Sequence, residues 1–377
     1  MKRCLKVKVK ELVEKFEKFA PQSIAMDGDP IGLQIGSLNS DFHKVLTTLD
    51  VRPEVVDEAI KTGADFIFAH HPVMFHPAKN LDLSVPQNEM YANIIRHGIT
   101  VYAAHTNLDF ADNGMNDWLA QSLKLKDISG LVPGYKEPVF RLTVQVPNVY
   151  AAAVRMSLVD AGAQVDRREF TGYTYQIDGT VYFIPQPGAD PTIGQAGEPN
   201  EVEDARLEFE VPQRNMEQVL STLQDVHPLN KPLYNVIKLE DKFHQFTMGR
   251  IGSLENSMTL KEFGELCKKA FNVKGLRIVS HNLNQKVQKV AILGGDGGKF
   301  FPLAKKLGAD VYVTGDVYYH TGHDMLAAGL PVVDPGHNIE KICIPKLAEM
   351  FTNWSQDNNW GIEVIQSQIN TDPFTFI

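Results

Sequence analysis

Apolar residues along the first third of the chain recur at two different spacings. Over residues 9–20 they fall three or four positions apart, which predicts an amphipathic opening helix. After that helix, short apolar runs alternate with segments of helical spacing. The runs predict strands at 44–50, 64–72 and 99–109, and the segments between them predict helices at 53–63 and 88–98. This alternation favours a parallel sheet with helices on its faces.

The last third of the chain repeats the alternation. It predicts a strand and turn at 289–298, strands at 309–316 and 331–340, and helices at 299–308 and 323–330. Residues 44–71 align with residues 289–316 without a gap, and seven of the 28 aligned pairs are identical. The alignment favours a duplicated α/β core, although any two strand–helix units share part of this pattern.

The middle of the chain has a different pattern. Its segments follow one another as β-α-β-β-α-β, the order of ferredoxin-like α+β domains. They lie at 139–147, 148–162, a strand that ends near 183, 205–212, 213–226 and 233–240. We therefore predict a first half of the α/β core over 1–128, an inserted domain over 129–247, and a second half of the core over 248–377.

Composition and charge narrow the class of protein. Of the 377 residues, 43% are hydrophobic and 22% are charged, as in an ordinary soluble protein. The formal net charge of −9 argues against general nucleic-acid binding, because such binding needs a cationic face. No apolar run is long enough to span a bilayer, and the charged N-terminus lacks the apolar stretch of a secretory signal.

The cysteines indicate the compartment. Cys4, Cys267 and Cys343 are far apart in the sequence and form no CxxC pair. This spacing is neither a disulfide framework nor a thiolate zinc site, and it fits a reducing environment. We expect a cytoplasmic protein that is not attached to a membrane.

Five side chains that can bind metal ions follow predicted strands in the two outer segments. They are His70, His71, Asp109, His337 and Glu340. Open α/β sheets bind ligands at the carboxyl ends of their strands, where all five are expected to lie. Three imidazoles and two carboxylates suit Zn²⁺, Mn²⁺ or Fe²⁺ better than Ca²⁺ or Cu⁺. Five donors exceed the usual set of one catalytic zinc, so they predict two divalent metal ions per subunit, with Zn²⁺ expected first.

Each of these residues also has an ordinary structural interpretation. A single histidine at a strand end more often makes a hydrogen bond, and Asp ends many strands. The GHNIE segment could simply begin a helix with an acidic first turn, which the helix dipole favours. In such a helix His337 and Glu340 are three apart and share a face. It is the combination of all five residues that predicts a metal site.

A second group of polar residues could orient the metal ligands or move protons. The group consists of His76, His105, Asp316, His320 and His323. His105 and His323 are the candidates for proton transfer, and a surface position is the alternative for His320 and His323. The glycine-rich turn 294–298 could hold a phosphate, but a tight turn required by packing is the better interpretation.

Several motifs in the outer segments together resemble a known family. They are GLQIG (32–36), GADFIFAHHP (63–72), HTNLD (105–109), GGDGG (294–298), GADVYVTGD (308–316), DPGHNIEK (334–341) and NTDPF (370–374). The chain resembles the Nif-three-like family, whose members are also named GTP cyclohydrolase I type 2 homologues. The middle segment is similar to the PII/CutA-like insert of the longer bacterial members.

The resemblance implies a duplicated α/β core and a dinuclear metal centre whose ligands match His70, His71, Asp109, His337 and Glu340. It also implies a toroidal homohexamer with the metal sites facing an internal cavity. Many members space the last His and Glu by four residues, whereas here they are three apart. Both spacings keep the two side chains on one helix face.

Two functions are compatible with these expectations. The first is a metal-dependent hydrolase in which a metal-activated water attacks a small-molecule substrate, with His105 or His323 as the proton donor. The second is a non-catalytic metal-handling or regulatory hexamer in which the insert acts as a sensor. The sequence leaves the identity of any substrate open and disfavours a nucleic-acid partner.

Overall fold

The structure of the protein is a computed structural model that describes residues 7–165, 170–188, 195–229 and 231–377. The chain divides into two compact units. The outer unit combines Met1–Tyr135 with Phe246–Ile377, and the middle unit is Lys136–Gln245.

Strands and helices alternate through most of the described residues. The strands are β1 Val7–Lys8, β2 Gly32–Ile35, β3 Asp41–Phe42, β4 Lys44–Thr48, β5 Phe66–Ala69, β6 Thr100–Ala103, β7 Lys126–Pro147, β8 Tyr175–Phe183, β9 Asn200–Pro212, β10 Tyr234–Thr259, β11 Arg277–Val279, β12 Lys286–Ile292, β13 Val311–Val313, β14 Val332–Asp334 and β15 Glu363–Gln366. The α-helices are α1 Val9–Phe19, α2 Pro53–Thr62, α3 Pro86–Arg96, α4 Thr106–Phe110, α5 Met115–Ser122, α6 Ala151–Asp160, α7 Met216–Val226, α8 Leu260–Ala270, α9 Phe301–Lys306, α10 Tyr319–Ala328 and α11 Cys343–Asp357. Short 3-10 helices lie at Gln22–Ile24, Asn148–Tyr150, Gln213–Asn215, Gly298–Phe300 and His337–Ile342.

The first sheet of the outer unit has the strand order β15-β4-β5-β6-β2. The central strands β4, β5 and β6 are parallel, and β15 joins the edge of β4 in the same direction. Strand β2 closes the other edge antiparallel to β6. All four residues of β5 are buried, as expected for a parallel strand that is covered on both faces.

The C-terminal part of the outer unit repeats this arrangement. Strands β12, β13 and β14 are parallel neighbours, and β11 closes the edge of β14 antiparallel to it. In each case a strand that precedes the three parallel strands in the chain, β2 or β11, lies antiparallel beside the last of them, β6 or β14. On the near edge, β10 is antiparallel to β12, whereas β15 is parallel to β4.

The aligned segments 44–71 and 289–316 also make the same hydrogen bonds at matching positions. The Lys44 amide donates to Asp65 Oδ1 at 3.0 Å, and the Lys289 amide donates to Asp310 Oδ2 at 2.8 Å. The side-chain ammonium groups are also placed alike. Lys44 Nζ donates to the carbonyl oxygen of Thr62 at the end of α2 at 2.8 Å, and Lys289 Nζ donates to that of Leu307 just after α9 at 2.7 Å. Gly63 at the end of α2 has φ +72°, and Gly308 has φ +80°, because the chain leaves each helix through a left-handed residue.

The prediction of alternating strands and helices around parallel sheets is confirmed, but two predicted strands are shorter than expected. The strand expected over 331–340 ends at Asp334, and His337–Ile342 forms a 3-10 helix. The strand expected over 99–109 ends at Ala103, and Thr106–Phe110 forms the short helix α4. A long-range polar contact stabilises this turn of the chain: Asp29 accepts hydrogen bonds from the hydroxyl of Thr106 and from its amide, which has no partner within the first turn of α4. Asp109 therefore lies on a helix rather than at the end of a strand.

The middle unit contains the end of β7, then α6, β8, β9 and α7, and the start of β10, in that order. Strand β9 pairs antiparallel with both β7 and β8. Its core is formed by alternate residues of β7 and β9 together with the buried faces of α6 and α7. The predicted β-α-β-β-α-β order is thus present in the described residues of this segment.

Candidate metal centre

Polar side chains meet where the chain leaves strands β5, β6 and β14. His70 and His71 directly follow β5, Asp109 lies on α4 just after β6, and His337 with Glu340 lies on the 3-10 helix after β14. All five residues belong to the outer unit. The structure therefore brings together side chains that are up to 270 positions apart in the sequence, from His70 to Glu340.

His70 is fully buried and presents one ring nitrogen to the cluster. Its Nδ1 lies 2.8 Å from the carbonyl oxygen of Ala104, so Nδ1 carries the proton and donates it. Its Nε2 is buried without a hydrogen-bond partner, 3.8 Å from Asp109 Oδ1 and 3.7 Å from Glu340 Oε2. Burial lowers the pKa of His70 to about 3, so the ring is neutral with a free lone pair on Nε2.

His71 and His337 are each held by a carboxylate on one side and face Glu340 on the other. The Nδ1 of His71 donates to Asp50 Oδ1 at 2.7 Å, and the Nδ1 of His337 donates to Asp316 Oδ2 at 2.6 Å. Both Nε2 atoms lie 3.1 Å from Glu340 Oε2. A carboxylate that fixes the far nitrogen of a histidine is the usual support of a metal-binding imidazole.

Glu340 lies at the centre of the cluster and is 3% exposed. Its spacing from His337 is explained by the 3-10 helix, in which residues three apart are eclipsed and point the same way. The glycine-rich turn before α9 allows the carboxylate to sit against the backbone. A Cβ atom on Gly294 or Gly295 would lie 2.8 or 2.9 Å from Glu340 Oε1.

The charges of the cluster depend on one another. Burial raises the pKa of Glu340, but hydrogen bonds to His337 and His71 outweigh burial and hold its pKa well below the usual range. Burial lowers the pKa of each of these histidines, but hydrogen bonds to their carboxylates raise the pKa of His71 to about 9 and that of His337 to about 11. Burial, reinforced by the charge of Glu340, raises the pKa of Asp109 well above its usual range.

His105 adds a third supported imidazole to one side of the cluster. Its Nδ1 donates to Asp29 Oδ1 at 2.8 Å, and its ring lies 5.3 Å from the His70 ring and 5.5 Å from the His71 ring. The ligand atoms of His70, His71 and His105 all lie within 4.8 Å of one another. His105 thus lies close enough to His70 and His71 to contact a metal ion or a molecule that these two residues bind.

Other predicted residues lie elsewhere. His323 is exposed on α10, where its ring contacts Tyr319, and it belongs to none of the possible metal-binding groups of the described residues. His320, also on α10, and His76 are exposed as well. The role of His323 in proton transfer stays a prediction.

Sequence reasoning missed two of the three carboxylates that orient the imidazoles. Asp50 and Asp29 were not among the candidates, although they hold His71 and His105. Asp316 was among them, because the alignment of the two halves places it opposite His71. Each missed residue lies after a strand or in a turn, where an aspartate by itself signals little.

The donor set fits divalent metal ions. Possible metal-binding groups are His71 with His337 and Glu340, and His70 with Asp109 and Glu340, each with ligand atoms within 4.8 Å. Ligands about 2.1 Å from a tetrahedral ion lie roughly 3.4 Å apart, close to the distances observed around His70 Nε2. The buried His70 Nε2 and Asp109 Oδ1 have no hydrogen-bond partner, a costly arrangement that a metal ion would relieve.

The whole chain matches one family. The model of the Duf34/NIF3 (NGG1p interacting factor 3) family matches residues 7–373. The chain is 41% identical over 367 residues to a Bacillus subtilis protein named GTP cyclohydrolase 1 type 2 homolog, covering 97% of this chain and 98% of that protein. It is 42% identical over 366 residues to a protein of the same name from Halalkalibacterium halodurans, with the same two coverages.

A solved structure has the same fold. The crystal structure of a Bacillus cereus protein related to NIF3 superposes with a TM-score of 0.88 at 40% identity, covering 98% of this chain and 99% of that one. The resemblance read from the motifs is confirmed by these matches. Among the described helices, none has the length and apolar character needed to cross a membrane.

Proposed function

The chain belongs to the Duf34/NIF3 family, and from that premise we propose that it is a protein with two divalent metal ions per subunit that acts as a metal-dependent hydrolase. The observation that carries the proposal is the cluster of imidazole and carboxylate donors around Glu340. The proposed ligands are His70, His71, Asp109, His337 and Glu340. Zn²⁺ is the proposed metal, ahead of Mn²⁺ and Fe²⁺, because three of the five donors are imidazoles and a site of this type binds Mn²⁺ and Fe²⁺ more weakly than Zn²⁺.

Two ions are proposed because the donors outnumber those that one ion uses. The groups His71–His337–Glu340 and His70–Asp109–Glu340 share only Glu340. A carboxylate has two oxygens and can contact two ions at once. Two-metal sites of this kind are a common arrangement in hydrolytic enzymes.

The proposed chemistry uses residues already in position. Divalent ions at such a site supply Lewis acidity that activates water for attack on a substrate. The side chain of His337 is 37% exposed, so the cluster is open to solvent on that side. His105, held by Asp29, is proposed to transfer a proton, since its ring lies beside the two histidines after β5. The name of the relatives suggests a purine nucleotide such as GTP as the first substrate to test.

The assembly is proposed to be a toroidal homohexamer in the cytoplasm, with the metal sites facing an internal space. The matching sheet orders and contacts of the two sheets support an outer unit built from duplicated halves. The element order of the middle unit supports an insert of the PII/CutA-like kind. Light scattering should give a mass near six times 42.1 kDa, and a monomer or dimer would contradict the hexamer.

A second candidate is a non-catalytic metal-handling or regulatory hexamer. The middle unit favours it, because this unit is a compact module with its own core and none of the proposed metal ligands. A sensor role predicts metal binding without turnover. Removing the middle unit should then abolish a metal-dependent response but leave metal content unchanged.

The two candidates are separated by assays on metal-loaded protein. The hydrolase proposal predicts turnover of GTP or a phosphoester by the Zn²⁺- or Mn²⁺-loaded protein, and loss of both metal and turnover in His337→Ala. The matched control is His97→Ala, because His97 is an exposed histidine outside the cluster. Full metal occupancy without turnover on a broad panel of nucleotides and esters would instead favour the metal-handling role.

A further inference from the structure

A cavity lies behind the 3-10 helix that carries His337 and Glu340. Its volume is about 690 Å³, within the range of small-molecule sites. Its walls are the end of α8 with the residues that follow it, the 3-10 helix, the start of α11, and the C-terminal segment 366–376. Neither His337 nor Glu340 lines it, so it is separate from the metal cluster.

Different faces of the 3-10 helix belong to two different sites. Residues three apart are eclipsed in such a helix, so His337 and Glu340 share one face and Asn338 and Lys341 share the next. The first pair faces the metal cluster, and the second pair lines the cavity. One short element therefore separates the two sites and contributes side chains to both.

The charges of the cavity wall favour an anion. Its charged lining residues are Lys274, Lys341 and Asp372, a net positive set in a chain of net charge −9. An ammonium has three N–H donors, and Lys341 Nζ uses one of them on the carbonyl oxygen of Asn272 at 3.0 Å. The remaining donor capacity of Lys341 can bind a phosphate or a carboxylate.

The other lining residues favour a ligand that has a planar ring with a polar group at its edge. Phe271 is buried in the wall, whereas Phe374 is 68% exposed at the C-terminal segment, so an apolar face borders the cavity. Aromatic side chains stack on planar rings. Asn338 is 9% exposed, and its Oδ1 has no hydrogen-bond partner among the described residues. Rotating this amide toward a ligand therefore costs no hydrogen bond at that atom.

We propose that this cavity is a second ligand site that binds a small organic anion, a phosphate or carboxylate attached to a planar ring. Lys341 binds the charged group, Phe374 covers the ring, and Asn338 meets a polar edge. The site does not depend on what the metal cluster catalyses.

The cavity is connected to the metal cluster at two points. The first is the shared 3-10 helix. The second is Thr371, which lines the cavity and whose hydroxyl donates to Asp50, the carboxylate that holds His71. A ligand that fixes the C-terminal segment therefore fixes Asp50, and through it His71. Binding at the cavity and metal affinity at the cluster are expected to be coupled, and the coupling is reciprocal.

The test titrates the full-length, metal-loaded protein with phenyl phosphate, benzoate and inorganic phosphate by calorimetry. The two ring probes are phenyl phosphate and benzoate, and we expect one of them to bind more tightly than inorganic phosphate. The tighter ring probe shows whether the site prefers a phosphate or a carboxylate. Lys341→Met should weaken that probe about tenfold, the loss of one charge-assisted contact. Phe374→Ala, at an exposed position that leaves the fold intact, should remove the advantage of the ring probe over inorganic phosphate. Lys61→Met, an exposed lysine of α2, is the matched control and should change nothing.

Two results would overturn the proposal. One is that neither ring probe binds at millimolar concentration. The other is that binding is unchanged in Lys341→Met but lost in His337→Ala, which would place the probe at the metal cluster. The coupling has its own readout: saturating probe should shift the Zn²⁺ affinity of the native protein but not that of Thr371→Val. An equal shift in both proteins would contradict the route through Asp50.

Discussion

The carboxylate of Asp50 orients His71, and its removal gives a quantitative prediction. Asp50 Oδ1 accepts the Nδ1 proton of His71 at 2.7 Å, and the side chain of Asp50 is 27% exposed. This bond holds the ring with Nε2 toward Glu340 and keeps the proton on Nδ1 when Nε2 loses its own. In Asp50→Ala the ring is free to rotate, and its last proton can stay on Nε2, where a metal ion would have to displace it.

The size of the effect follows from the type of bond. A hydrogen bond to a charged group contributes about 1.5–3 kcal/mol, which corresponds to roughly a 10- to 150-fold change in an equilibrium constant. Loss of outer partners of metal-binding histidines costs about 10- to 100-fold in metal affinity. We therefore expect Asp50→Ala to bind Zn²⁺ about 10- to 100-fold more weakly than the native protein.

The assay is competition for Zn²⁺ with a chromophoric chelator, on proteins whose folding is checked by circular dichroism. Asp57→Ala, at an exposed position of α2, is the matched control and should retain native affinity. If Asp50 acts through His71, its removal should cost almost nothing further in the His71→Ala background. An affinity of Asp50→Ala within twofold of the native value, or full additivity in the double variant, would refute this role.

Two further predictions concern the backbone and the protons of the cluster. Gly295→Ala should lower Zn²⁺ affinity at least tenfold, because the residue has φ +62° and its Cβ would lie 2.9 Å from Glu340 Oε1. The control is Gly98→Ala, because Gly98 has φ +65° and open space around the Cβ. It carries the same backbone strain of about 1–2 kcal/mol and should lower the melting temperature without changing metal affinity. Equal Zn²⁺ affinities in the two variants would contradict the role of the contact between the Cβ and Glu340. The raised pKa values of His71, about 9, and of His337, about 11, mean that the metal-free rings are protonated at neutral pH, so metal binding must release protons. Zn²⁺ affinity should then rise with pH, about tenfold per unit for each proton displaced, as pH approaches 9 from the ordinary histidine value of about 6.5. In the metal-free protein, the stability that these protonated histidines contribute is present below about pH 6.5 and is lost as pH rises through 9 and then 11. Calorimetry in two buffers of different ionisation enthalpy measures the released protons, and a binding enthalpy independent of the buffer would contradict the prediction.

The parallel cores of the two sheets could be predicted from the sequence because their strands are short apolar runs. In β5, for example, all four residues are buried, so the run stands out from the amphipathic helices beside it. The position of the cluster followed from the rule that open α/β sheets bind ligands at the carboxyl ends of strands. His70 and His71 are placed there by β5, as the sequence indicated.

The remaining features depend on contacts that no local pattern carries. The apolar pattern predicts Asp109 at the end of a strand, whereas the segment forms α4, whose first residue Thr106 is bonded to the distant Asp29. The 3-10 helix of His337 looks like the first turn of an α-helix, since both begin with the same polar residues. Strand β15 returns to the edge of β4 from more than 300 residues away, a pairing that periodicity does not reveal.

The metal content of the protein tests the central claim most directly. The native protein, purified without chelators or an affinity metal, is saturated with Zn²⁺, freed of excess metal, and measured by elemental mass spectrometry against protein concentration. The cluster around Glu340 predicts two Zn²⁺ ions per subunit. A saturated content of one ion or none per subunit would contradict a dinuclear centre built from His70, His71, Asp109, His337 and Glu340.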